Sequence, residues 1–160
     1  MRNTEKRKKI SIGVEDFKTL IDWNGYFVDK TLMIRDLIEN HAMVTLFTRP
    51  RRFGKTLNQF MIRRFFEDEI TEKGEKVDNG YLFDGLAITR CGEEIMQHQQ
   101  RYPVIFMTLK SARQDTYALA YMELKKRISE EYKRHKYVLQ GETLTMDEKK
   151  RYEAVSAIAD

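Results

Sequence analysis

Two continuous apolar runs dominate the hydrophobic pattern of the chain. The first covers residues 42–47, AMVTLF, and the second covers residues 102–109, YPVIFMTL. Uninterrupted apolar character over six to eight positions is typical of a strand that is covered on both faces. Pro103 stands at the start of the second run, where a strand tolerates proline. We therefore predict two buried strands.

Most of the remaining chain has apolar residues at helical spacing, three and four positions apart. Asp29 is a suitable N-cap for the second of these segments. Thr145 followed by Glu148 is a capping-box pattern, which predicts the start of a last helix. The predicted helices cover residues 14–21, 30–40, 57–66, 91–100 and 116–137, followed by the segment that begins after Thr145.

The connections complete the predicted architecture. Residues 10–13 and 26–28 are short β-type stretches, residues 68–79 form a charged loop, and residues 81–86 form an apolar turn that packs on the core. Strands that alternate with helices predict an α/β fold with a parallel sheet. Proline occurs only twice and no repeat is evident, so residues 10–160 are predicted to form one domain.

Composition agrees with a globular domain that has a charged surface. The chain has 160 residues, of which 41% are hydrophobic and 34% charged. No apolar run approaches the about 20 residues that cross a bilayer, and no hydrophobic segment of a secretory signal follows the N-terminus. The single cysteine, Cys91, excludes an internal disulfide and fits a reducing compartment. The expected location is the cytoplasm, without a membrane partner.

The net charge of +4 comes from a short N-terminal segment. Residues 1–9 carry five basic side chains and one acidic side chain, so the remaining residues sum to zero. Two interpretations of this leader stand: a flexible, solvated terminus, or an arm that contacts nucleic acid. Because residues 10–160 carry no net positive charge, nucleic acid is the weaker candidate among the partners.

The candidate chemistry lies in residues 48–56, TRPRRFGKT, between the first predicted strand and the third predicted helix. Strand, tight loop, Gly-Lys-Thr and helix is the order of a P-loop, in which backbone amides and a helix N-terminus surround a phosphate. The P-loop pattern requires a first glycine five residues before Gly54, and Arg49 stands there. Pro50 must then help to turn the chain, and Arg51 and Arg52 add charge that suits phosphate oxygens.

Several stretches of the chain together resemble the AAA-ATPase-like domain family of bacterial proteins. The central motif is specific, because that family carries Arg-Pro-Arg-Arg-Phe-Gly-Lys-Thr in place of the glycine-first loop. The stretches that carry the resemblance are residues 12–17, 26–31, 48–58, 82–86 and 102–106. The resemblance implies an α/β, P-loop NTPase-like parallel sheet flanked by helices.

The resemblance also implies ATP and Mg²⁺ as ligands. Lys55 would contact the β- and γ-phosphates, Thr56 would bind Mg²⁺, and backbone amides between Arg51 and Lys55 would surround the phosphates. The expected nucleotide-binding residues are Arg49, Pro50, Arg51, Arg52, Phe53, Gly54, Lys55 and Thr56. Residues 29–31, Asp-Lys-Thr, belong to a family motif, and either a role near the nucleotide or helix capping by Asp29 explains them.

Hydrolysis is not supported by the residues of this chain alone. In the family, a Walker B strand ending in acidic residues follows the matched region, and a nuclease-like domain of the PD-(D/E)XK type often comes next. The predicted strands here end in Thr48-Arg49 and Leu109-Lys110, so the chain resembles a domain truncated before Walker B. Glu123 and Lys125 have the spacing of a nuclease strand but lie in a helical pattern.

Alternative functions follow from this expected truncation. A domain without its Walker B strand would expose a strand edge and apolar faces, which predicts a non-catalytic interaction module that self-associates or binds a missing C-terminal part. Cys91, His98 and His135 have no metal-ligand spacing, so no metal site other than Thr56 with Mg²⁺ and nucleotide is expected.

Overall fold

The computed structural model describes residues 8–71 and 73–159, which form two compact units. The first unit contains residues 8–68 and 78–102, and the second contains residues 69–71, 73–77 and 103–159. Residues 1–7, most of the predicted leader, lie outside the described residues. Lys9 pairs with Gly25 in an isolated bridge of the first unit. No helix of the described residues is long and apolar enough to cross a membrane.

The first unit is built from four α-helices and two 3₁₀ turns. The helices differ from the hydrophobic pattern at their ends. The first begins after Asp16, whose carboxylate accepts a hydrogen bond from the Thr19 amide at 2.8 Å, and the third begins at Lys55, two residues earlier than predicted. The helices are α1 (Phe17–Asp22), α2 (Leu32–Glu39), α3 (Lys55–Phe66) and α4 (Glu93–Met96), and the 3₁₀ turns are Gly80–Phe83 and Ala87–Arg90.

Aromatic packing forms the centre of this unit. Phe83 is fully buried, with its ring centroid 5.3 Å from those of both Phe17 and Phe65. The predicted apolar turn at residues 81–86 therefore does pack on the core, through Leu82 and Phe83. Burial of aromatic rings of this size dominates the stability of a small core. Ile34, Met61, Ile88 and Ile95 complete the cluster.

The C-terminal end of α3 is anchored by charge as well as by packing. Glu67 follows the helix, is only 1% exposed, and accepts a hydrogen bond from Arg63 Nε at 2.7 Å. A buried carboxylate requires such a partner. The Phe66 carbonyl also accepts a hydrogen bond from the Tyr102 amide at 2.9 Å. This end of α3 is thus fixed in the interior, while its first turn lies at the surface.

The second unit consists of two helices and a 3₁₀ turn at Lys136–Gln140. Helix α5 (Tyr117–Arg134) packs on α6 (Met146–Ser156), where the Tyr152 hydroxyl donates to the Tyr132 carbonyl at 2.8 Å. The rings of these two tyrosines are 4.7 Å apart. Helix α6 begins with the predicted capping box, since Thr145 and Glu148 bond each other in both directions.

The expected parallel sheet is wrong for this structure. The described residues contain no β-strand, only the isolated bridges Lys9–Gly25, Glu67–Tyr102 and Ile70–Lys76. In the first apolar run, Met43 and Val44 are 101% and 85% exposed. Within the described part of the chain, residues 42–47 make no backbone–backbone hydrogen bond. Because a strand requires a paired neighbour, this run forms none.

The second apolar run uses side chains in place of a neighbouring strand. The Phe106 amide donates to a Glu131 carboxylate oxygen at 2.7 Å. The Val104 carbonyl accepts hydrogen bonds from Arg134 Nη2 at 2.5 Å and from His135 Nε2 at 3.0 Å. Helix α5 and the residue that follows it therefore form hydrogen bonds with two main-chain groups, the Val104 carbonyl and the Phe106 amide, that the predicted sheet would have paired. On the same evidence, the P-loop NTPase-like parallel sheet that the family resemblance implied is wrong for the described residues.

Replacement of the central ring tests the importance of the aromatic core. We expect Phe83→Ala to lower the free energy of unfolding by about 3–5 kcal/mol, because it leaves a cavity between two rings. Urea unfolding followed by circular dichroism measures the loss. Tyr26→Ala is the matched control, since Tyr26 is an aromatic residue of the same unit that is 63% exposed. Equal losses in the two variants would contradict a core centred on Phe83.

Candidate functional site

Gly54 makes the turn that leads into α3. Its backbone is left-handed, with φ 72° and ψ 23°, and it is the N-cap of the helix. A β-carbon added at Gly54 would meet no atom within 4 Å, so glycine is favoured here by its conformation and not by lack of space. No side chain caps the helix at this position. The first amides of α3 are thus left to a ligand or to solvent.

Lys55 closes the loop on itself. Its ammonium donates hydrogen bonds to the carbonyl oxygens of Arg49, at 2.5 Å, and Pro50, at 2.9 Å. The loop between Arg49 and Lys55 is therefore joined at both ends by the lysine side chain. An incoming anion would have to compete with two carbonyl acceptors for this ammonium.

A cavity of about 350 Å³ lies beside this loop. Its size is within the range of pockets for small ligands, roughly 300–1,000 Å³. None of the described residues that line it carries a carboxylate. The lining combines three cations, two amides and four apolar side chains: Lys30, Arg49 and Lys55, then Asn58 and Gln59, then Met33, Phe47, Phe53 and Ile62.

The structure brings some of the expected nucleotide-binding residues together and leaves others apart. Arg49, Phe53 and Lys55 line the cavity. Pro50 supplies a carbonyl to Lys55, and Gly54 makes the turn. Arg51, Arg52 and Thr56 are not among the lining residues; the two arginines are exposed, Arg52 with a left-handed backbone, and Thr56 is half-buried. Their assignment to phosphate and Mg²⁺ stays a prediction.

Sequence reasoning missed the part of the site that α3 and its surroundings supply. Asn58 and Gln59 lie three and four residues after Lys55, and Ile62 lies four and three residues after them, so the four residues share one face of α3. That spacing is visible in the sequence and could have identified them. Met33 and Phe47 carry no comparable signal.

The motif at residues 29–31 has a clear structural role. The Asp29 carboxylate accepts hydrogen bonds from the Thr31 amide at 2.9 Å, the Thr31 hydroxyl at 2.6 Å and the Ala87 amide at 2.7 Å. Thr31, which is fully buried, accepts a further bond from the Ile88 amide at 3.1 Å. Thr31, not Asp29, is the N-cap of α2. These bonds, which we call the Asp29–Thr31 clip, fasten α2 to the turn at Ala87–Arg90.

The clip also determines the protonation of Asp29. Burial alone would raise the pKa of this carboxyl. The hydrogen bonds from Thr31 and Ala87, together with the charge of Arg90, outweigh burial and hold the pKa below the ordinary aspartate value. Asp29 is therefore ionised at neutral pH, as its three donors require.

The cysteine and the histidines do not form a metal centre. No group of three or more His, Cys, Asp or Glu residues that could hold a metal ion occurs among the described residues. The Cys91 thiol lies 3.8 Å from the Ala87 carbonyl, and His98 contacts the Tyr102 hydroxyl. His135 donates to the main chain of Val104, as described above. These side chains have structural partners.

Comparison with known proteins identifies one family. A family model with the description "predicted AAA-ATPase" matches residues 11–159, nearly the whole chain. The match includes the loop, the Asp29–Thr31 clip and every residue that lines the cavity. Searches of curated proteins and of solved structures found no significant match.

The clip predicts a pH-dependent contribution to stability. We expect Asp29→Asn to lower the free energy of unfolding by about 1 kcal/mol at pH 7. If the asparagine Oδ1 accepts from Thr31, its NH2 group, which is a donor, faces the Ala87 amide and that hydrogen bond is lost. Since the folded pKa is depressed, this contribution is complete above the ordinary aspartate pKa of 3.8 and is lost as pH falls below it. Urea unfolding at a series of pH values measures the difference between wild type and variant.

Asp84→Asn is the control for this measurement, because Asp84 is an exposed carboxylate of the same unit. It should change stability by less than about 0.5 kcal/mol at any pH. A difference between wild type and Asp29→Asn that stayed constant down to pH 2 would contradict the ionised clip.

Proposed function

The chain belongs to the AAA-ATPase-like family, and on that premise we propose that it binds a nucleoside triphosphate, with ATP and Mg²⁺ as the expected ligands. The binding site is the cavity beside the loop at residues 48–56. The observation that carries the proposal is the combination in one cavity of Lys55, at the start of α3, with further cations and an apolar wall.

The two kinds of lining suit the two ends of a nucleotide. Lys30, Arg49 and Lys55 supply positive charge for a polyphosphate. Phe47 and Phe53 are aromatic and 40% and 58% exposed, so their rings are accessible to a planar base. Inorganic phosphate would use the first group alone, and an apolar ligand the second alone. The mixture supports a nucleotide over either.

Binding would redirect the Lys55 ammonium. In the structure it donates to two loop carbonyls, and a phosphate oxygen is a stronger acceptor because it is charged. The uncapped amides at the start of α3 would face the same anion. Thr56, the second residue of α3, is the expected ligand of Mg²⁺, whose chemistry is to neutralise phosphate charge.

The proposal is limited to binding. Hydrolysis requires a carboxylate that holds Mg²⁺ through water and orients the attacking water. No described residue that lines the cavity has a carboxylate. The described lining residues therefore support recognition of the nucleotide, and the proposal does not extend to its hydrolysis.

A titration of the full chain with Mg-ATP tests the proposal. We expect wild type to bind with heat release and with a raised melting temperature, since a ligand that binds only the folded state stabilises it. Lys55→Ala should weaken binding by roughly tenfold or more, the effect of losing a charge-assisted hydrogen bond. Isothermal calorimetry measures both affinities.

Lys150→Ala is the matched control, because it removes an exposed lysine from α6 and should bind as wild type does. Wild-type protein that gave no heat and no thermal shift at millimolar Mg-ATP would contradict the proposal, and so would identical affinities for wild type and Lys55→Ala.

Exposure of the first apolar run supports a second candidate function, that of a protein-interaction module. Met43, Val44 and Leu46 are 101%, 85% and 82% exposed. These three large apolar side chains lie within four residues of one another, and apolar side chains that are exposed together are typical of a contact surface. We propose that this run mediates self-association of the chain.

Charge substitutions within the run test self-association by light scattering. We expect wild type to show a mass above that of the monomer, and Val44→Lys to lower it by placing charge on the contact surface. Thr45→Lys is the matched control, since it adds the same charge between Val44 and Leu46 without removing an apolar side chain, and it should disturb the assembly less. A monomeric wild type at high protein concentration would contradict this candidate.

A further inference from the structure

Lys30 stands between two residues whose side chains fasten this part of the backbone by hydrogen bonds. Asp29 and Thr31 on either side make the clip, with bonds to the amides of Ala87 and Ile88. The Lys30 carbonyl accepts a hydrogen bond from the Met33 amide at 3.0 Å, at the first turn of α2. The backbone of Lys30 is thus held by side chains other than its own.

The Lys30 side chain lines the same cavity as Lys55. Two residues of the motif fasten the backbone, and the one between them lines the cavity beside the loop. The hydrogen bonds of the clip explain Asp29 and Thr31 but give no reason for a lysine between them. A role at the cavity gives that reason.

The three cations of the cavity differ in what their charges contact. The Lys55 ammonium donates to two loop carbonyls. Within the described residues, neither the Lys30 ammonium nor the Arg49 guanidinium makes an ion pair or a hydrogen bond. An anion that enters the cavity must displace acceptors from Lys55, whereas at Lys30 it displaces only solvent. Lys30 therefore offers charge to an anion without the loss of an internal bond.

Placing several cations in one cavity without a carboxylate in its lining raises the local positive potential. Such an arrangement is unfavourable in the free protein, because like charges repel, and becomes favourable when an anion of several charges binds. A compact flexible ammonium suits a phosphate group that is also shared with other donors. A single phosphate would not need cations from two separate segments, Lys30 before α2 and Lys55 at the start of α3.

We propose that Lys30 is a second phosphate-binding lysine, which contacts the terminal phosphates of a nucleoside triphosphate opposite the loop; this inference rests on the proposed function of the cavity. Lys30 then determines preference for the triphosphate over the monophosphate. The Asp29–Thr31 clip is the positioning element that directs it.

Calorimetric titrations of the full chain with Mg-ATP, AMP and inorganic tripolyphosphate test this role. We expect Lys30→Ala to weaken Mg-ATP about tenfold and to leave AMP within about twofold of wild type, because AMP lacks the terminal phosphates. Lys30→Arg should retain most of the Mg-ATP affinity, since it keeps the charge. The melting temperature without ligand should be the same in all three proteins, because the clip and not Lys30 holds the backbone.

The ligands separate failure of this inference from failure of the proposed function. If Lys30→Ala binds Mg-ATP as wild type does while Lys55→Ala is weakened, the role of Lys30 is overturned and nucleotide binding stands. Equal losses for AMP and Mg-ATP, or a lowered melting temperature that Lys30→Arg does not restore, also overturn it.

The titration with tripolyphosphate shows whether Lys30 recognises the phosphate chain by itself or only as part of a nucleotide. Parallel losses of Mg-ATP and tripolyphosphate in Lys30→Ala support direct phosphate contact. If wild type binds tripolyphosphate but not Mg-ATP, and Lys30→Ala loses it, the role of Lys30 stands and the nucleotide assignment fails. If wild type binds neither, both are overturned.

Discussion

The packing of Phe65 and Met61 against the core is the constraint on which the candidate site depends. Both side chains are fully buried near the C-terminal end of α3, and Phe65 contacts the ring of Phe83. Twelve helical residues span about 18 Å, so an end that is fixed in the interior determines where the exposed end lies. Ile62 joins the two functions, because it packs against the core and also lines the cavity. The first turn of α3 is thus held in place by the packing of the rest of the helix, without a hydrogen bond from a capping side chain.

Two attachments converge on the cavity from different parts of the first unit. Hydrophobic burial holds α3, and the charged Asp29–Thr31 clip holds the start of α2. The loop between Arg49 and Lys55 is held differently, by a lysine that donates to its own main chain. A charged side chain that donates to neutral carbonyls can donate to a charged acceptor in their place, and the number of its hydrogen bonds then stays nearly the same. The elements that frame the cavity are therefore fastened, and Lys55, which would respond to the proposed nucleotide, is the group with replaceable partners.

The parts of this structure that could be predicted from sequence are those set by local contacts. The start of α6 was predicted because Thr145 and Glu148 bond each other three residues apart. The loop into α3 was predicted because Gly54 and its neighbours lie within a few residues of the helix that they open. Asn58, Gln59 and Ile62 share a face of α3 with Lys55 and are equally local, but they were not predicted because the P-loop pattern ends at Thr56. For residues 29–31 the sequence left a role near the nucleotide and helix capping both open. It could not decide between them, because the clip that fastens the neighbours of Lys30 joins Asp29 to Ala87, 58 residues apart.

The error in the predicted sheet has the same cause. An apolar run such as residues 102–109 predicts a buried segment. It shows neither whether the segment is covered, since Ile105 and Leu109 are 76% and 64% exposed here, nor which groups will bond its main chain. Here Glu131 and Arg134 of α5 and its C-cap His135 supply those bonds, 25 to 31 residues away. Their charges gave no sign of this, because on a helical pattern they resemble an ordinary solvated face. A helix satisfies its amides within four residues, whereas an extended segment must find partners elsewhere in the chain. Hydrophobic pattern therefore locates such a segment, and only long-range polar contacts determine whether it becomes a strand.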